Sequence, residues 1–270
     1  MLRKVCVITT LIMSLAAAVV AQSRDRGFRR SADASCSDGW NDRRASHCEI
    51  REDTIGGANP LDIDAGPNGG IHIRGWDRGD VLVRSKIIGY ARTDADARAI
   101  VSGVRIETAG GRVRASGPTT DRDEHWAVSF DVQVPRTAML TLNTRNGGIS
   151  IDDFRGTAAF HAANGGVSLS NVGGDLRGAT TNGGITVDLQ GDHWDGAGLD
   201  VETHNGGVRL TLPATYSAEL ETGTTNGRIS IDFPVTVQGR IDRHLTATLG
   251  AGGPKVRAIT TNGGVTIRRR

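Results

Sequence analysis

The sequence predicts an all-β fold, namely a single-stranded β-solenoid with coils of about 18–23 residues and one short helix near residues 93–102. Three observations predict it: a short signature recurs along the second half of the chain, apolar and polar residues alternate around each copy, and the composition is unusual. The 270 residues include 37 glycines and only 4% aromatic residues. This composition favours a thin core of Val, Ile and Leu over a wide globular core.

The recurring signature centres on Asn-Gly-Gly followed by Ile or Val, usually with Thr two residues before the Asn. Its asparagines lie 18, 18, 23, 21 and 36 residues apart, at Asn146, Asn164, Asn182, Asn205, Asn226 and Asn262, and an earlier copy contains Asn68. A period of about 20 residues is typical of units that bury their apolar faces only by stacking on one another. We interpret the interval of 36 as two coils, one of which has lost its signature.

The residues around each Asn predict which side chains point inward. Apolar residues stand three and five positions after each Asn and six positions before it, and side chains alternate along a strand, so the residues between them point outward. Stacking would place the asparagines in one hydrogen-bonded column. Asn-Gly is also a strong hairpin signal, so a meander of hairpins is the alternative. We favour the solenoid because it requires the same residue type at the same phase in every copy.

The N-terminal part predicts three segments. A basic start and the apolar stretch from Val5 to Val20 predict a signal peptide over residues 1–21, with a transmembrane helix as the alternative; the mature chain has no further apolar segment long enough to span a membrane. Residues 22–54 show little alternation and predict an exposed leader, and residues 55–270 predict the solenoid domain. Within that domain, Thr93 and the acidic residues after it predict the start of the helix.

Two cysteines, Cys36 and Cys48, remain after the signal peptide. In an exported chain they most simply form a disulfide, here within the leader. A metal site with His47 is the alternative, but two thiols and one His at this spacing match no zinc pattern. The sequence therefore predicts a disulfide and no metal site or cofactor.

The best candidate for binding is an insertion in the 23-residue repeat, which contains Asp192, His193, Trp194 and Asp195. The tryptophan could stack on a sugar ring, or the loop could hold a cation; alternatively Trp194 folds back over the stack as a plug. Asp152 and Asp153 are interpreted as a solvated turn, so no catalytic residue is assigned. The 32 basic and 30 acidic residues give no electrostatic footprint for nucleic acid.

The repeat, the early Pro67-Asn68-Gly69-Gly70-Ile71 segment and the export signal together resemble the bacterial family named "putative adhesin" over about residues 55–270. The resemblance implies a single-stranded β-solenoid of the cell envelope and brings no catalytic residues to carry over. The prediction is thus an exported, non-enzymatic scaffold or adhesion-type module of the periplasm or cell surface. Its ligand is unknown, and envelope glycans or another envelope protein are the partner classes. A polysaccharide-acting β-helix enzyme is the alternative, and an envelope-stress sensing component is a further one.

Overall fold

The computed structural model describes residues 36, 45–57, 59–232 and 243–270, and the predicted signal peptide lies outside them. These residues form a mostly β fold with one helix, α1 (Asp94–Gly103). The strands are β1 (Ala45–Ile55), β2 (Leu61–Asp64), β3 (Ile71–Trp76), β4 (Val81–Ala91), β5 (Arg105–Glu107), β6 (Arg112–Ser116), β7 (His125–Pro135), β8 (Met139–Asn146), β9 (Ile149–Asp152), β10 (Thr157–Asn164), β11 (Val167–Ser170), β12 (Asp175–Asn182), β13 (Ile185–Asp188), β14 (Gly198–Asn205), β15 (Val208–Leu212), β16 (Ala218–Asn226), β17 (Ile229–Ile231), β18 (His244–Leu249), β19 (Lys255–Asn262) and β20 (Val265–Arg269).

The described strands form two sheets of ten. Sheet A has the order β1-β4-β7-β3-β9-β11-β13-β15-β20-β17, and sheet B has the order β18-β16-β19-β14-β12-β10-β8-β2-β6-β5. Each coil contributes one strand to each sheet, and one continuous apolar core contains side chains from both. Leu176 of β12 and Val187 of β13, for example, are fully buried in it.

Successive repeats pair in parallel and in register, which excludes the hairpin alternative. In sheet B, β10 pairs with both β8 and β12, and Asn164 lies opposite Asn146 and Asn182. In sheet A, β11 pairs in the same way with β9 and β13. Parallel neighbours require a crossover connection, and the second strand of each coil supplies it. The fold is therefore β-solenoid-like.

The coils do not stack in the order in which they follow one another along the chain. β19 lies between β14 and β16 in sheet B, and β20 lies between β15 and β17 in sheet A. The last coil is thus inserted between the two coils that precede it, so Asn262 lies opposite both Asn205 and Asn226. The interpretation of the 36-residue interval as two sequential coils is wrong, because β18 lies within that interval and pairs antiparallel with β16.

The signature forms one corner of each coil. Each asparagine Nδ2 donates to the Oδ1 of the adjacent asparagine, at 3.2 Å from Asn146 to Asn68, 2.9 Å from Asn164 to Asn146, 2.8 Å from Asn182 to Asn164, 2.8 Å from Asn205 to Asn182, 2.9 Å from Asn262 to Asn205 and 2.7 Å from Asn226 to Asn262. A buried threonine adds a second contact between coils, since the Thr180 hydroxyl donates to the Gly165 carbonyl oxygen at 2.7 Å. The first glycine of the signature is required because the backbones of adjacent coils approach closely at the corner. A Cβ at Gly183 would lie 2.1 Å from the Gly165 carbonyl oxygen. The corner therefore fixes the register of the coils.

Beyond the parallel stack, sheet A continues as an antiparallel extension of β7, β4 and β1, against which α1 packs. The predicted helix is confirmed, with Thr93 accepting a hydrogen bond from the Asp96 N–H at 3.2 Å. The Arg51 side chain donates to the carbonyl oxygens of Val101 and Val104 at the other end of the helix. Residues 45–54, which the sequence analysis assigns to the leader, thus belong to a paired strand. They lack apolar alternation because none of their side chains is fully buried.

Candidate functional site

The loop at residues 191–196 is anchored to the stack by its tryptophan. Trp194 is 1% exposed, and its indole N–H donates to the Gly174 carbonyl oxygen at 3.0 Å. The backbone adds a second contact, because the Gly174 N–H donates to the Asp195 carbonyl oxygen at 2.6 Å. A buried indole has no free face on which a sugar ring could stack. Trp194 therefore folds back onto the stack, as in the alternative interpretation of this loop as a plug.

The remaining polar residues of this loop face solvent. Asp192 and His193 are both mostly exposed, and His193 Nδ1 lies 2.6 Å from Asp192 Oδ1. The hydrogen bond with His193 lowers the pKa of the Asp192 carboxyl. Among the described residues, no group of three or more His, Cys, Asp or Glu side chains could hold a metal ion.

Cys36 and Cys48 form a disulfide, with their Cα atoms 5.7 Å apart. Cys48 belongs to β1, where it lies opposite Ile88 of β4. The bridge therefore ties residue 36 to the edge strand of sheet A, and the two thiols are not available to a metal.

An ionic cluster on the outer face of sheet A joins three strands. His72 of β3 lies between Asp152 of β9, at 2.8 Å from Nε2, and Asp131 of β7, at 3.5 Å from Nδ1. The histidine side chain is 14% exposed. Its interactions with Asp131 and then Asp152 raise the pKa of His72 to about 9, against the opposing effect of burial. Asp152 thus pairs across the sheet instead of solvating a turn, and the cluster stabilises the junction between the parallel stack and the antiparallel extension.

The outer face of sheet B carries two adjoining shallow depressions, with volumes of about 390 Å³ and 270 Å³. The larger lies over two small outward side chains, Ala159 and Ala179, and Gly178 also lines it. Gly178 is itself dictated by packing, since a Cβ there would lie 2.0 Å from the ring of Phe160 on the adjacent strand. The smaller depression lies over Gly198. Small residues at outward positions, namely Ala159, Ala179 and Gly198, thus leave the outer face of the sheet concave.

Charged side chains at the boundary of the depressions belong to one row across sheet B. The row crosses adjacent strands in the order Arg177, Asp200, Arg257 and Glu221, so opposite charges alternate. Arg257 is 27% exposed and lies 2.5 Å from Asp200, 3.6 Å from Glu221 and 3.7 Å from Glu202. Partial burial lowers the pKa of Arg257, but the hydrogen bond with Asp200 and the nearby carboxylates raise it overall. These contacts hold the Arg257 side chain among the three carboxylates.

The larger depression combines donors and acceptors with an apolar floor. Asn143 and His161 line one side of it, Asp200 and Glu202 line the other, and Ala159 and Ala179 form the floor. Ligand pockets of about 300–1,000 Å³ commonly pair apolar lining with a few polar groups that fix orientation. Carboxylates, an amide and an imidazole can bond several hydroxyl groups at once. The arrangement therefore suits a hydroxylated ligand with one apolar face.

The sequence analysis did not identify this face, although a signal was available. The residues five positions before the asparagines of the second half are Thr141, Ala159, Arg177, Asp200, Glu221 and Arg257. These positions point outward between the inward positions that the analysis did assign. They form a column rich in charge, whereas the chosen loop stood out only because its repeat was longer.

Comparison with known proteins adds a family. The model of the family Toastrack DUF4097 matches residues 79–268. No curated protein matches the chain.

Several solved structures resemble the chain at low sequence identity. A "putative cell adhesion protein" from Clostridium sporogenes ATCC 15579 shares 10% identity with a TM-score of 0.42, over 83% of this chain and 100% of that chain. A "putative adhesin" from Bacteroides fragilis NCTC 9343 shares 11% identity with a TM-score of 0.35, over 82% and 97%. A "putative lipid binding protein" from Parabacteroides distasonis ATCC 8503 shares 13% identity with a TM-score of 0.35, over 82% and 96%.

Proposed function

This chain belongs to the Toastrack DUF4097 family, and we propose that it is a non-enzymatic, adhesion-type module of the cell envelope that binds a glycan on the outer face of sheet B. The observation that carries the proposal is the pair of adjoining depressions, together with the charged residues Arg177 and Asp200 that line both of them. The two depressions together offer an elongated surface, which a linear glycan could follow across several coils.

The site supports a glycan because sugars present two kinds of surface. Their hydroxyl groups need both donors and acceptors, which His161, Asn143 and Glu202 provide. Their C–H faces pack on apolar groups, which Ala159 and Ala179 provide. The strands that carry the outward side chains belong to a stack of coils with a continuous core. Their backbone is therefore ordered before a ligand arrives, which lowers the ordering cost of binding.

Export to the periplasm or the cell surface is part of the proposal. The Cys36–Cys48 disulfide supports it, because disulfides persist in oxidising compartments outside the cytosol. The predicted signal peptide supports it independently. No helix among the described residues is long and apolar enough to cross a membrane.

The proposal is tested with the purified, oxidised protein on a panel of immobilised bacterial glycans, followed by calorimetry with each glycan that binds. Ala159→Leu fills the floor of the larger depression and is expected to abolish binding. Thr157→Leu is the matched control, because residue 157 is exposed on the same strand but lines neither depression; it is expected to bind like the wild type.

Three results would contradict this function. Binding to no glycan on the panel would exclude the ligand class, and equal binding by the Ala159 and Thr157 variants would exclude the site. Release of new reducing ends from a bound glycan would favour the polysaccharide-acting enzyme that the sequence analysis kept as its alternative.

A further inference from the structure

Among the described strands, β1 lies at the end of sheet A and pairs with a neighbour on one side only. β1 contains 11 residues and pairs with β4 along one side, and no other described strand pairs with its second side. The free backbone N–H and C=O groups of an edge strand are a template for pairing with another chain. In the middle of β1 lies Ile50, which is 39% exposed; Ile50 and Met139 are the two exposed large apolar side chains among the described residues.

The sequence of β1 is complementary to itself when two copies run antiparallel about Ile50. Glu49 then lies opposite Arg51 of the second copy, and His47 lies opposite Asp53. Each of these pairs occurs twice because of the twofold symmetry, and each joins groups that can form an ion pair or a hydrogen bond. On the other face of the strand, the two Ile50 side chains meet at the symmetry axis. Directly opposed residues of these kinds stabilise an antiparallel pair.

Other registers of the same pairing bring like charges together. A slip of two residues in one direction places Arg51 opposite Arg51 and Glu49 opposite Asp53, and a slip in the other direction places Glu49 opposite Glu49. Like charges directly opposite one another are destabilising. A slip of one residue places the outer face of one copy beside the inner face of the other. The register centred on Ile50 avoids these like-charge conflicts and pairs all 11 residues of the strand. It places Cys48, which is bonded to Cys36, opposite Glu52 of the second copy.

We propose that two copies of this chain associate through their β1 strands into a symmetric dimer in which sheet A continues from one copy into the other. The interface is isologous, as expected for a twofold dimer, and each copy adds a strand to the edge of the other. The intramolecular contacts of Arg51 remain available, since its guanidinium contacts Glu49 of its own strand and the end of α1. Glu49 of the second copy approaches the same group from the free edge.

The first experiment measures mass in solution. The oxidised protein without its signal peptide is analysed by sedimentation velocity over a roughly hundredfold range of concentration, and a dimer that dissociates on dilution is expected. Ile50→Lys places two ammonium groups opposite one another and should weaken association at least about tenfold. Met139→Lys is the matched control, since it replaces the other exposed large apolar residue, on sheet B, and it should dimerise like the wild type.

The second experiment separates lost pairing from lost folding. Ile50→Lys and Ile50→Glu are each expected to be monomeric, and an equal mixture of the two is expected to form a heterodimer, because opposite charges then meet at the axis. A wild type that is monomeric at every concentration would overturn the proposal. So would an Ile50→Lys variant that dimerises as well as the wild type, or a mixture of the two variants that stays monomeric. None of these readouts depends on glycan binding.

Discussion

The His72 cluster predicts a specific dependence of stability on pH. Asp131 and Asp152 raise the pKa of His72 from 6.5 to about 9. The folded protein therefore keeps the imidazole proton up to a higher pH than the unfolded chain does. The stabilisation is therefore fully present below pH 6.5 and is lost as the pH rises towards about 9. Each pKa unit is worth about 1.4 kcal/mol, and the shift thus corresponds to about 3 kcal/mol of unfolding free energy. Because the side chain is only 14% exposed, solvent screening removes little of this amount.

The assay is urea unfolding at a series of pH values from about 6 to about 10. The wild type is expected to lose about 3 kcal/mol across this range from this cluster, and His72→Gln is expected to remove that loss because glutamine does not titrate. His204→Gln is the control, since His204 is exposed, and it should keep the pH dependence of the wild type. If His72→Gln and the wild type show the same slope, the cluster does not hold a proton on folding and the reasoning fails.

Three further predictions concern the corner and the bridge, and urea unfolding checks each. Gly183→Ala should cost about 2 kcal/mol, because its Cβ would lie 2.1 Å from a backbone oxygen, whereas Gly184→Ala, at 3.2 Å, should cost less than about 1 kcal/mol; equal costs would contradict the coil packing. Asn182→Leu removes two hydrogen bonds of 2.8 Å from an exposed column and should lower the free energy of unfolding by about 1 kcal/mol. Thr186→Leu should lower it by less than about 0.5 kcal/mol, and a larger loss of stability at Thr186 would contradict the assigned faces. Reduction of the Cys36–Cys48 bridge should lower stability by about 3 kcal/mol without changing the sheet signal in circular dichroism; two free thiols in the untreated protein, measured by mass spectrometry, would contradict the pairing.

Local patterns in the sequence were sufficient to predict the interior of the coils. Leu176 and Val187 stand at inward positions of the repeat, and both are fully buried. The helix was equally accessible, because Thr93 and the acidic first turn are local signals. β1 was not accessible in this way: its side chains face α1 on one side and solvent on the other, so they show no apolar alternation. Pairing with β4, which lies far along the chain, decides its structure.

The binding face could be located only in part from the sequence. The outward column five residues before each Asn was readable, but the lining of the depression also includes Gly178, which occupies an inward position. That glycine accommodates the ring of Phe160 from the adjacent strand. A pattern of single residues does not show that a large side chain in one coil requires a missing side chain in the next. Trp194 illustrates the same limit, since its burial depends on Gly174, one coil away.

The order of the coils is reflected in two columns of equivalent residues, the charged column five residues before each Asn and the glycine column of the corners. In chain order, Asp200 would lie beside Glu221, whereas the observed insertion places Arg257 between the two carboxylates and contacts both of them. The second glycine of each corner also indicates where a coil lies in the stack. A Cβ at the second glycine of a corner points to the next coil, at 3.2 Å for Gly207, and Arg228 occupies this position in the coil beyond which no described strand of sheet A follows. A long side chain is accommodated there because no described strand of sheet A stacks above it. Arg228 thus marks the last parallel coil of the described stack, which is not the last coil along the chain.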